Sequence, residues 1–215
     1  MQKKTYAVLG LGRYGTAVAK ELVKSGADVI AVDKNEQIVQ DSSVYLPICK
    51  CADITDPEVI AELGISNADV VIVAMASCLE ESILAITLCK EAGVKTVIAK
   101  CANETHRKIL KRVGADMVVF PENESGTRLA KNLLTSGFID VLTLSDDLSL
   151  VELTARDEWV GKSLKELNLR KKYTVNVVAF RKNGKITAPV NPEELLDKDT
   201  ELIAIVNTAK LSKLK

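Results

Sequence analysis

Three glycines and one carboxylate, at fixed spacing, are the residues of this chain that point most clearly to chemistry. Gly10, Gly12 and Gly15 form the pattern Gly-x-Gly-x-x-Gly directly after an apolar run. In such a pattern Gly10 permits a tight turn out of a strand, Gly12 lets backbone N–H groups approach a phosphate, and Gly15 lets a helix pack close to the sheet. Asp33, which ends the next apolar run, can accept hydrogen bonds from both hydroxyls of a ribose. The spacing therefore predicts a nucleotide site.

The residues around this pattern predict the elements that must position it. Residues 5–9 predict a strand, residues 16–24 a helix that Gly26 ends, and residues 28–33 a second strand, which together make one β-α-β unit. The start of the helix offers unpaired N–H groups and the positive end of the helix dipole, and both favour a bound phosphate.

Strands and helices continue to alternate as far as Pro121. Further strands are predicted at residues 45–50, 69–75, 96–100 and 116–120, and further helices at residues 35–42, 56–64, 77–92 and 103–113. Six strands with five intervening helices predict an α/β fold with a Rossmann-like, doubly wound parallel sheet in the order 3-2-1-4-5-6. A ligand should then bind above the carboxyl ends of strands one and four.

Composition narrows the class of protein. Hydrophobic residues make up 47% of the 215 residues, and aromatic residues only 4%, which suits buried parallel strands rich in Val, Ile, Leu and Ala. Lys and Arg number 29 and so do Asp and Glu, so the charge gives no indication of nucleic-acid binding. The sequence has no run long and apolar enough to span a bilayer and no signal peptide, so we expect a cytoplasmic protein.

Cysteine and histidine give no indication of a metal site. The five cysteines, an odd number without framework spacing, are expected to be reduced thiols of a cytosolic protein. Cys49 and Cys51 are too close in sequence for the usual zinc-binding spacing, and the single histidine, His106, lies on a predicted helix.

Other candidate residues fall at the same edge of the predicted sheet. Ala74 lies at the end of strand four; Lys100 could place a charge near the nucleotide or pair with a carboxylate. Glu122 could ligate a divalent cation or cap the following helix. Asp53 could contact an adenine or begin a turn, and Arg13 could clamp a phosphate or lie on the solvated face of its helix. The residues alone leave these alternatives open.

The pattern changes after residue 121. Residues 122–136 predict a helix, and residues 148–215 predict a small α+β module with a hairpin turn at Asn183-Gly184 and no catalytic constellation. We predict a nucleotide-binding domain over residues 1–134, a crossover segment over 135–147 and a C-terminal domain over 148–215.

Taken in order, these segments resemble the cytosolic regulatory subunits of bacterial potassium transporters of the Ktr and Trk type. Those subunits consist of an RCK (or KTN) domain followed by a smaller TrkA-C domain, and the resemblance covers nearly the whole chain. The segments that carry it are Val8–Gly15, Ala31–Asn35, Ala52–Thr55, Val97–Lys100, Ile109–Asp116, Phe120–Glu122, Leu150–Leu153 and Gly161–Leu164.

The resemblance implies a partner, an assembly and a set of ligands. In that family the first domain binds ATP, ADP or NAD(H) without turning them over, and nucleotide exchange changes the shape of a ring of subunits. The ring, built of dimers and implied here to be an octamer, docks on a membrane potassium channel or transporter subunit of the KtrB or TrkH type. This would hold the protein at the inner face of the membrane. The C-terminal domain of some members binds cyclic di-AMP.

The resemblance also assigns roles to residues. It places the phosphates at Gly10, Gly12, Arg13 and Gly15, the ribose at Asp33 and Asn35, the adenine near Asp53 and the nucleotide above Lys100. Glu122 resembles an acidic residue that helps to hold Mg²⁺ or another divalent cation at the γ-phosphate of ATP. Ala52 departs from the family, since many relatives have glycine there. The candidate nucleotide-binding residues are Gly10, Gly12, Arg13, Tyr14, Gly15, Asp33, Asn35, Asp53, Ala74, Lys100 and Glu122.

The predicted helix after Pro121 resembles the segment that relatives exchange between protomers. Its apolar residues Leu129, Leu133 and Leu134, together with Phe138, would then belong to an interface between subunits.

The competing class is a small NAD-dependent oxidoreductase. A hydride transferase needs an acid–base group close to the reacting carbonyl or hydroxyl, usually His, Lys or Tyr. His106 lies away from the predicted cleft, which leaves Lys100 as the candidate, and Asp33 would repel the 2′-phosphate of NADP. A redox sensor on DNA would need a basic recognition helix, which the sequence does not predict. We therefore expect a nucleotide-binding regulator and not an enzyme.

Overall fold

The structure is a computed structural model that describes residues 4–134, 140–145 and 147–209. The chain divides into two compact units, Met1–Glu122 and Asn123–Lys215. The domain limits expected from the sequence, at residues 134 and 147, stay a prediction.

The first unit alternates strands and helices in the predicted order. Its strands are β1 (Thr5–Leu9), β2 (Asp28–Asp33), β3 (Ile48–Cys51), β4 (Val70–Val73), β5 (Thr96–Lys100) and β6 (Met117–Val119). Its helices are α1 (Arg13–Lys24), α2 (Glu36–Ser43), α3 (Pro57–Glu62), α4 (Leu79–Glu91) and α5 (Glu104–Arg112), with a short 3₁₀ turn at Ile65–Asn67.

The six strands form one parallel sheet in the order β3-β2-β1-β4-β5-β6, which confirms the predicted doubly wound topology. Consecutive residues of a strand point to opposite faces, so the side chains of the central strands contribute to two apolar layers, one on each face of the sheet. Leu9 and Val73 lie in one layer, and Val8 and Ile72 lie in the other. Because β1 and β4 are adjacent, the strand order reverses between them, and that is where such sheets bind ligands.

Capping residues set the starts of three helices. The side chains of Asn35, Asp56 and Asn103 accept hydrogen bonds from backbone N–H groups in the first turns of α2, α3 and α5. Each cap satisfies a donor that the helix itself leaves unpaired. Pro57 follows its cap at the first helical position, where the missing N–H costs nothing.

The strand predicted at residues 45–50 is shorter than expected and begins at Ile48. The N–H groups of Tyr45 and Leu46 both donate to the carbonyl of Ser42, at 3.1 and 3.0 Å, so this backbone continues the end of α2. Tyr45 and Leu46, whose apolar character had suggested a strand, therefore continue the helical hydrogen bonding of α2.

The second unit is built around an antiparallel sheet. Helix α6 (Pro121–Leu134) leads into it, and its strands are β7 (Asp140–Thr143), β8 (Leu148–Thr154), β9 (Val175–Lys182), β10 (Lys185–Thr187) and β11 (Glu201–Asn207), in the order β10-β9-β11-β8-β7. Two short helices, α7 (Leu164–Leu167) and α8 (Leu169–Tyr173), precede β9. The predicted helix at 122–136 thus ends, within the described residues, at Leu134.

Alternation along β8 and β11 builds the core of the second unit. Val151 and Leu153 on β8, and Leu202 on β11, are at most 2% exposed and pack with Trp159 and Phe180. A capping box between Ser163 and Glu166 starts α7. The hairpin predicted at Asn183-Gly184 is present, and both residues have positive φ.

Helix α6 exposes part of its apolar side. Leu129 is 60% exposed and Leu133 is 76% exposed. The side chain of Leu134 and all of Phe138 lie outside the described residues, so the predicted subunit interface stays a prediction. In the described parts of the chain, no helix is both long and apolar enough to cross a bilayer.

The packing of α1 against the sheet predicts a sharp difference between two glycines. A Cβ at position 15 would lie 1.9 Å from the carbonyl oxygen of Gly10, whereas a Cβ at position 12 would have no neighbour within 4 Å. Gly15→Ala should therefore lower the free energy of unfolding by about 3 kcal/mol, because backbone must move. Gly12→Ala, the matched control, should lower it by less than about 1 kcal/mol. Urea unfolding followed by circular dichroism measures both, and equal losses would contradict this account.

Candidate functional site

A cavity of about 430 Å³ lies at the carboxyl ends of the parallel strands. It is lined by residues at or just after the carboxyl ends of β1 to β5, together with Ile38 on α2 and Glu81 on α4. It lies where the strand order reverses, and its size suits a small organic ligand. The lining residues are Gly10, Gly12, Val32, Asp33, Lys34, Asn35, Ile38, Ala52, Asp53, Ile54, Thr55, Ala74, Met75, Ala76, Ser77, Glu81 and Lys100.

The glycine loop forms one wall of this cavity. Gly10 has φ +94°, a conformation that favours glycine, and its N–H donates to the carbonyl of Val32 at 2.8 Å. Gly12 is the N-cap residue of α1 and, having no side chain, makes no capping hydrogen bond. The start of a helix presents backbone N–H groups and the positive end of the helix dipole, which is what a phosphate site requires.

Asp33 ties the glycine loop to the end of β2. Its Oδ2 accepts a hydrogen bond from the backbone N–H of Leu11 at 2.7 Å, and its Oδ1 accepts one from Asn35 at 2.9 Å. Each carboxylate oxygen has two lone pairs, so each can still accept a hydroxyl. The same carboxylate can thus hold the loop and bind a ribose.

Asn35 and Asp53 have structural bonds as well as a place at the cavity. The Oδ1 of Asn35 accepts from the N–H groups of Gln37 and Ile38, so its amide nitrogen is the group left to donate. The Oδ1 of Asp53 accepts from the backbone and hydroxyl of Thr55, at 3.0 and 2.7 Å, which holds the pKa of Asp53 below its ordinary value. Asp53 therefore begins a turn, and its contact with adenine stays a prediction.

Lys100 pairs with Glu122. The Nζ of Lys100 lies 2.6 Å from Oε1 of Glu122; the side chain of Lys100 is 15% exposed and that of Glu122 is 62% exposed. The hydrogen bond from the ammonium lowers the pKa of Glu122. The ammonium also lies 5.7 Å from the centre of the Tyr14 ring. A divalent cation at Glu122 would therefore have to compete with Lys100.

The structure brings seven of the eleven candidate residues to the cavity wall. The other four lie nearby in different roles. Gly15 is buried behind the loop, Arg13 is exposed on the first turn of α1, Tyr14 is beside Lys100, and Glu122 is bound to Lys100. The seven lining residues are Gly10, Gly12, Asp33, Asn35, Asp53, Ala74 and Lys100.

Sequence reasoning missed an ion pair at the same cavity. The Nζ of Lys34 lies 2.5 Å from Oε1 of Glu81, and both residues line the cavity. The hydrogen bond with Glu81 raises the pKa of Lys34. Lys34 could have been noticed, because it directly follows Asp33. Glu81 had no local signal, since it is 47 residues away in the chain.

None of the five cysteines is among the described residues that line the cavity. All five cysteines are free, and burial raises the pKa of Cys89 to about 12. Over residues 4–134, 140–145 and 147–209, no three His, Cys, Asp or Glu side chains are grouped so that they could hold a metal ion.

Two family models together match most of the chain. Residues 6–121 match the family model of the TrkA-N domain, and residues 148–215 match that of the TrkA-C domain.

Two relatives cover almost the full length. The chain is 35% identical to Ktr system potassium uptake protein C of Bacillus subtilis, over 99% of this chain and 96% of that protein. It is 34% identical to Ktr system potassium uptake protein A of Vibrio alginolyticus, over 99% of this chain and 97% of that protein.

Among solved structures, the GsuK channel bound to NAD superposes with a TM-score of 0.67 at 17% identity. That match covers 99% of this chain and 39% of the channel chain, and it shows a shared fold.

The Lys100–Glu122 contact predicts a pKa change. Lys100→Gln should raise the pKa of Glu122 toward its ordinary value, because the ammonium that stabilises the carboxylate is removed. Lys34→Gln is the matched control and should leave Glu122 unchanged. Since the folded-state pKa of Glu122 is depressed, the pair stabilises the fold above the ordinary pKa, and this is lost as pH falls through the depressed value. Carboxyl-carbon NMR titration measures the midpoint; an unchanged midpoint in Lys100→Gln would contradict the pairing.

Proposed function

The chain belongs to the family of Ktr and Trk system potassium uptake proteins, and we propose that it is the nucleotide-binding regulatory subunit of such a system. The observation that carries this proposal is the cavity at the switch point of the sheet, where the glycine loop and Asp33 meet. A TrkA-C domain follows it in the chain, as it does in the family.

The geometry supports a regulator over an oxidoreductase. Among the described residues that line the cavity there is no histidine or tyrosine. Lys100, the remaining acid–base candidate, donates a hydrogen bond from its ammonium to Glu122 at 2.6 Å, so this group is already engaged by a carboxylate. We infer that the bound nucleotide is a signal and is not turned over.

Each part of the cavity then recognises one part of an adenine nucleotide. The N–H groups at the start of α1 bind the phosphates, assisted by Arg13, and Asp33 with Asn35 binds the ribose hydroxyls. Asp53 lies at the adenine end, and Lys100 lies beneath the nucleotide. ATP, ADP and NAD(H) share the adenosine and its first two phosphates. ATP adds a γ-phosphate and NAD(H) adds a nicotinamide riboside, so contacts beyond the second phosphate have to carry the discrimination.

The proposed switch depends on contacts that only ATP makes. A γ-phosphate with Mg²⁺ would draw Glu122 from Lys100 toward the cation, whereas ADP or NADH would leave the Lys100–Glu122 pair in place. Glu122 is the second residue of α6, so this choice is made at the start of that helix. A ligand shifts an equilibrium only by its difference in affinity for the two states, and the γ-phosphate contacts supply that difference.

Membership of this family supports an assembly in which the switch would act. We propose that dimers of the chain form a ring, an octamer, which controls a membrane potassium channel or transporter subunit of the KtrB or TrkH type from the cytoplasmic side. Cyclic di-AMP, which the resemblance implies for the C-terminal domain, stays a prediction.

Calorimetric titration of the purified full chain with ATP, ADP, NAD⁺ and NADH, with and without Mg²⁺, tests the proposal. We expect binding of adenine nucleotides without hydrolysis or hydride transfer. Turnover of any of these ligands, or failure of all four to bind, would contradict the proposed function.

Asp33→Ala should weaken every adenine nucleotide by about 10- to 100-fold, because hydrogen bonds to a charged acceptor are lost. Asp41→Ala removes a carboxylate of α2 that does not line the cavity, and it should leave the affinities unchanged. Calorimetry gives the affinities, and thermal unfolding without nucleotide shows whether the glycine loop still folds. Equal affinities in the two variants would exclude Asp33 from ribose binding.

Glu122→Gln should weaken ATP in the presence of Mg²⁺ and leave ADP nearly unchanged, because only the γ-phosphate brings a cation to this carboxylate. ADP binding in the same variant is the internal control for folding. Titrations with and without Mg²⁺ measure the difference, and an equal loss for ATP and ADP would remove Glu122 from cation binding.

A further inference from the structure

The cavity has a second charged pair whose position suggests a role in choosing the ligand. Lys34 directly follows Asp33, and its ammonium is bound to Glu81 at 2.5 Å across the cavity rim. Lys34 is the residue after β2 and Glu81 lies in the first turn of α4, so the pair joins two elements that both line the cavity. The side chains of Lys34 and Glu81 are 57% and 29% exposed, so both are accessible to a ligand.

The charges around this end of the cavity are unbalanced. Among the described lining residues the carboxylates are Asp33, Asp53 and Glu81, and the cations are Lys34 and Lys100. Lys100 is held by Glu122, which is not a lining residue. Lys34 is therefore the lining cation nearest in sequence to Asp33, the carboxylate proposed to bind the ribose. Its ammonium is bound to Glu81.

The chemistry of the ribose decides what this arrangement selects. An unmodified ribose has hydroxyls that donate hydrogen bonds, and carboxylates accept them. A 2′-phosphate carries a charge of about −1.5 to −2 and accepts hydrogen bonds only, so it needs a cation or other donors. Asp33 repels it, and Lys34 could attract it only if the ammonium were released from Glu81.

We propose that Glu81 is a specificity-determining residue that excludes 2′-phosphorylated nucleotides by holding the ammonium of Lys34. This inference rests on the proposed function, which places the ribose at Asp33. Lys34 is then a latent site for a 2′-phosphate, and the carboxylate of Glu81 both occupies it and adds to the negative charge. The ligands that the site accepts are adenine nucleotides whose 2′-hydroxyl is free.

The alternative for this pair is a purely structural one, in which it only joins the end of β2 to α4. The two accounts predict different ratios between the affinity for a 2′-phosphorylated nucleotide and the affinity for the same nucleotide without that phosphate. A structural role predicts that breaking the pair changes binding of all nucleotides alike, because the cavity wall is displaced for each of them. A specificity role predicts a change that depends on the 2′-phosphate.

The experiment compares adenosine 5′-phosphate with adenosine 2′,5′-bisphosphate, which differ only in the 2′-phosphate. Calorimetry on the full chain gives the ratio of their affinities for the wild type and for Glu81→Gln. Glu80→Gln is the matched control, because it makes the same change in the same helical turn at an exposed residue that does not line the cavity. The double variant Glu81→Gln with Lys34→Gln removes the released ammonium.

We expect Glu81→Gln to shift the ratio toward the 2′,5′-bisphosphate by about tenfold, the effect of one gained charge-assisted contact. Glu80→Gln should leave the ratio unchanged, and the double variant should lose the gain. A ratio in Glu81→Gln equal to that of the wild type, or a gain that persists without Lys34, would overturn the inference while the wild type still binds ADP. Failure of the wild type to bind all four of ATP, ADP, NAD⁺ and NADH would instead overturn the proposed function, and this inference with it.

Discussion

The close approach of α1 to the sheet is the constraint on which the rest of the site depends. Position 15 must lack a side chain, because a Cβ there would lie 1.9 Å from the carbonyl oxygen of Gly10. This approach brings the start of α1 to the carboxyl ends of β1 and β4, where the strand order reverses. The carboxylate of Asp33 then fixes the loop by binding the N–H of Leu11. Backbone donors for an anion and an acceptor for a ribose thus come to lie in one cavity.

Two ion pairs at this cavity are built on the same plan. Lys34 follows β2 and binds Glu81 in the first turn of α4, and Lys100 ends β5 and binds Glu122 in the first turn of α6. In each case a lysine at the end of a strand meets an acid at the start of a helix, where a negative charge is also favoured by the helix dipole. The positive charge of each lysine is thereby balanced by a carboxylate. A ligand that binds the lysine or the carboxylate would have to compete with this ion pair. We regard the first pair as the one that selects the ribose and the second as the one that responds to the γ-phosphate.

Helix α6 combines the carboxylate of the second ion pair with exposed apolar side chains. It begins at Pro121, has Glu122 in its first turn, and exposes Leu129 and Leu133 further along. The helix thus has two sets of interactions, a charge contact at one end and exposed apolar side chains further along. A change of ligand could alter the first set, and a change of assembly could alter the second. This is the form that coupling between two sites takes when both bias one element.

The fold class, the order of the strands and seven of the residues that line the cavity could be predicted from the sequence. Glycine spacing and the capping residues Asn35, Asp56 and Asn103 act through neighbours a few residues away, so their effects can be read from local patterns. Asp33 was recognisable from its spacing after the glycine loop, although the N–H of Leu11 that it binds is 22 residues away. The start of β3 at Ile48 follows from helical bonding at the end of α2, which the apolar pattern did not reveal. The fold itself is what binds Lys34 to Glu81 and Lys100 to Glu122. These partners are 47 and 22 residues apart. They meet because the sheet brings the ends of distant strands to one edge, and no local pattern encodes which side chains face each other there.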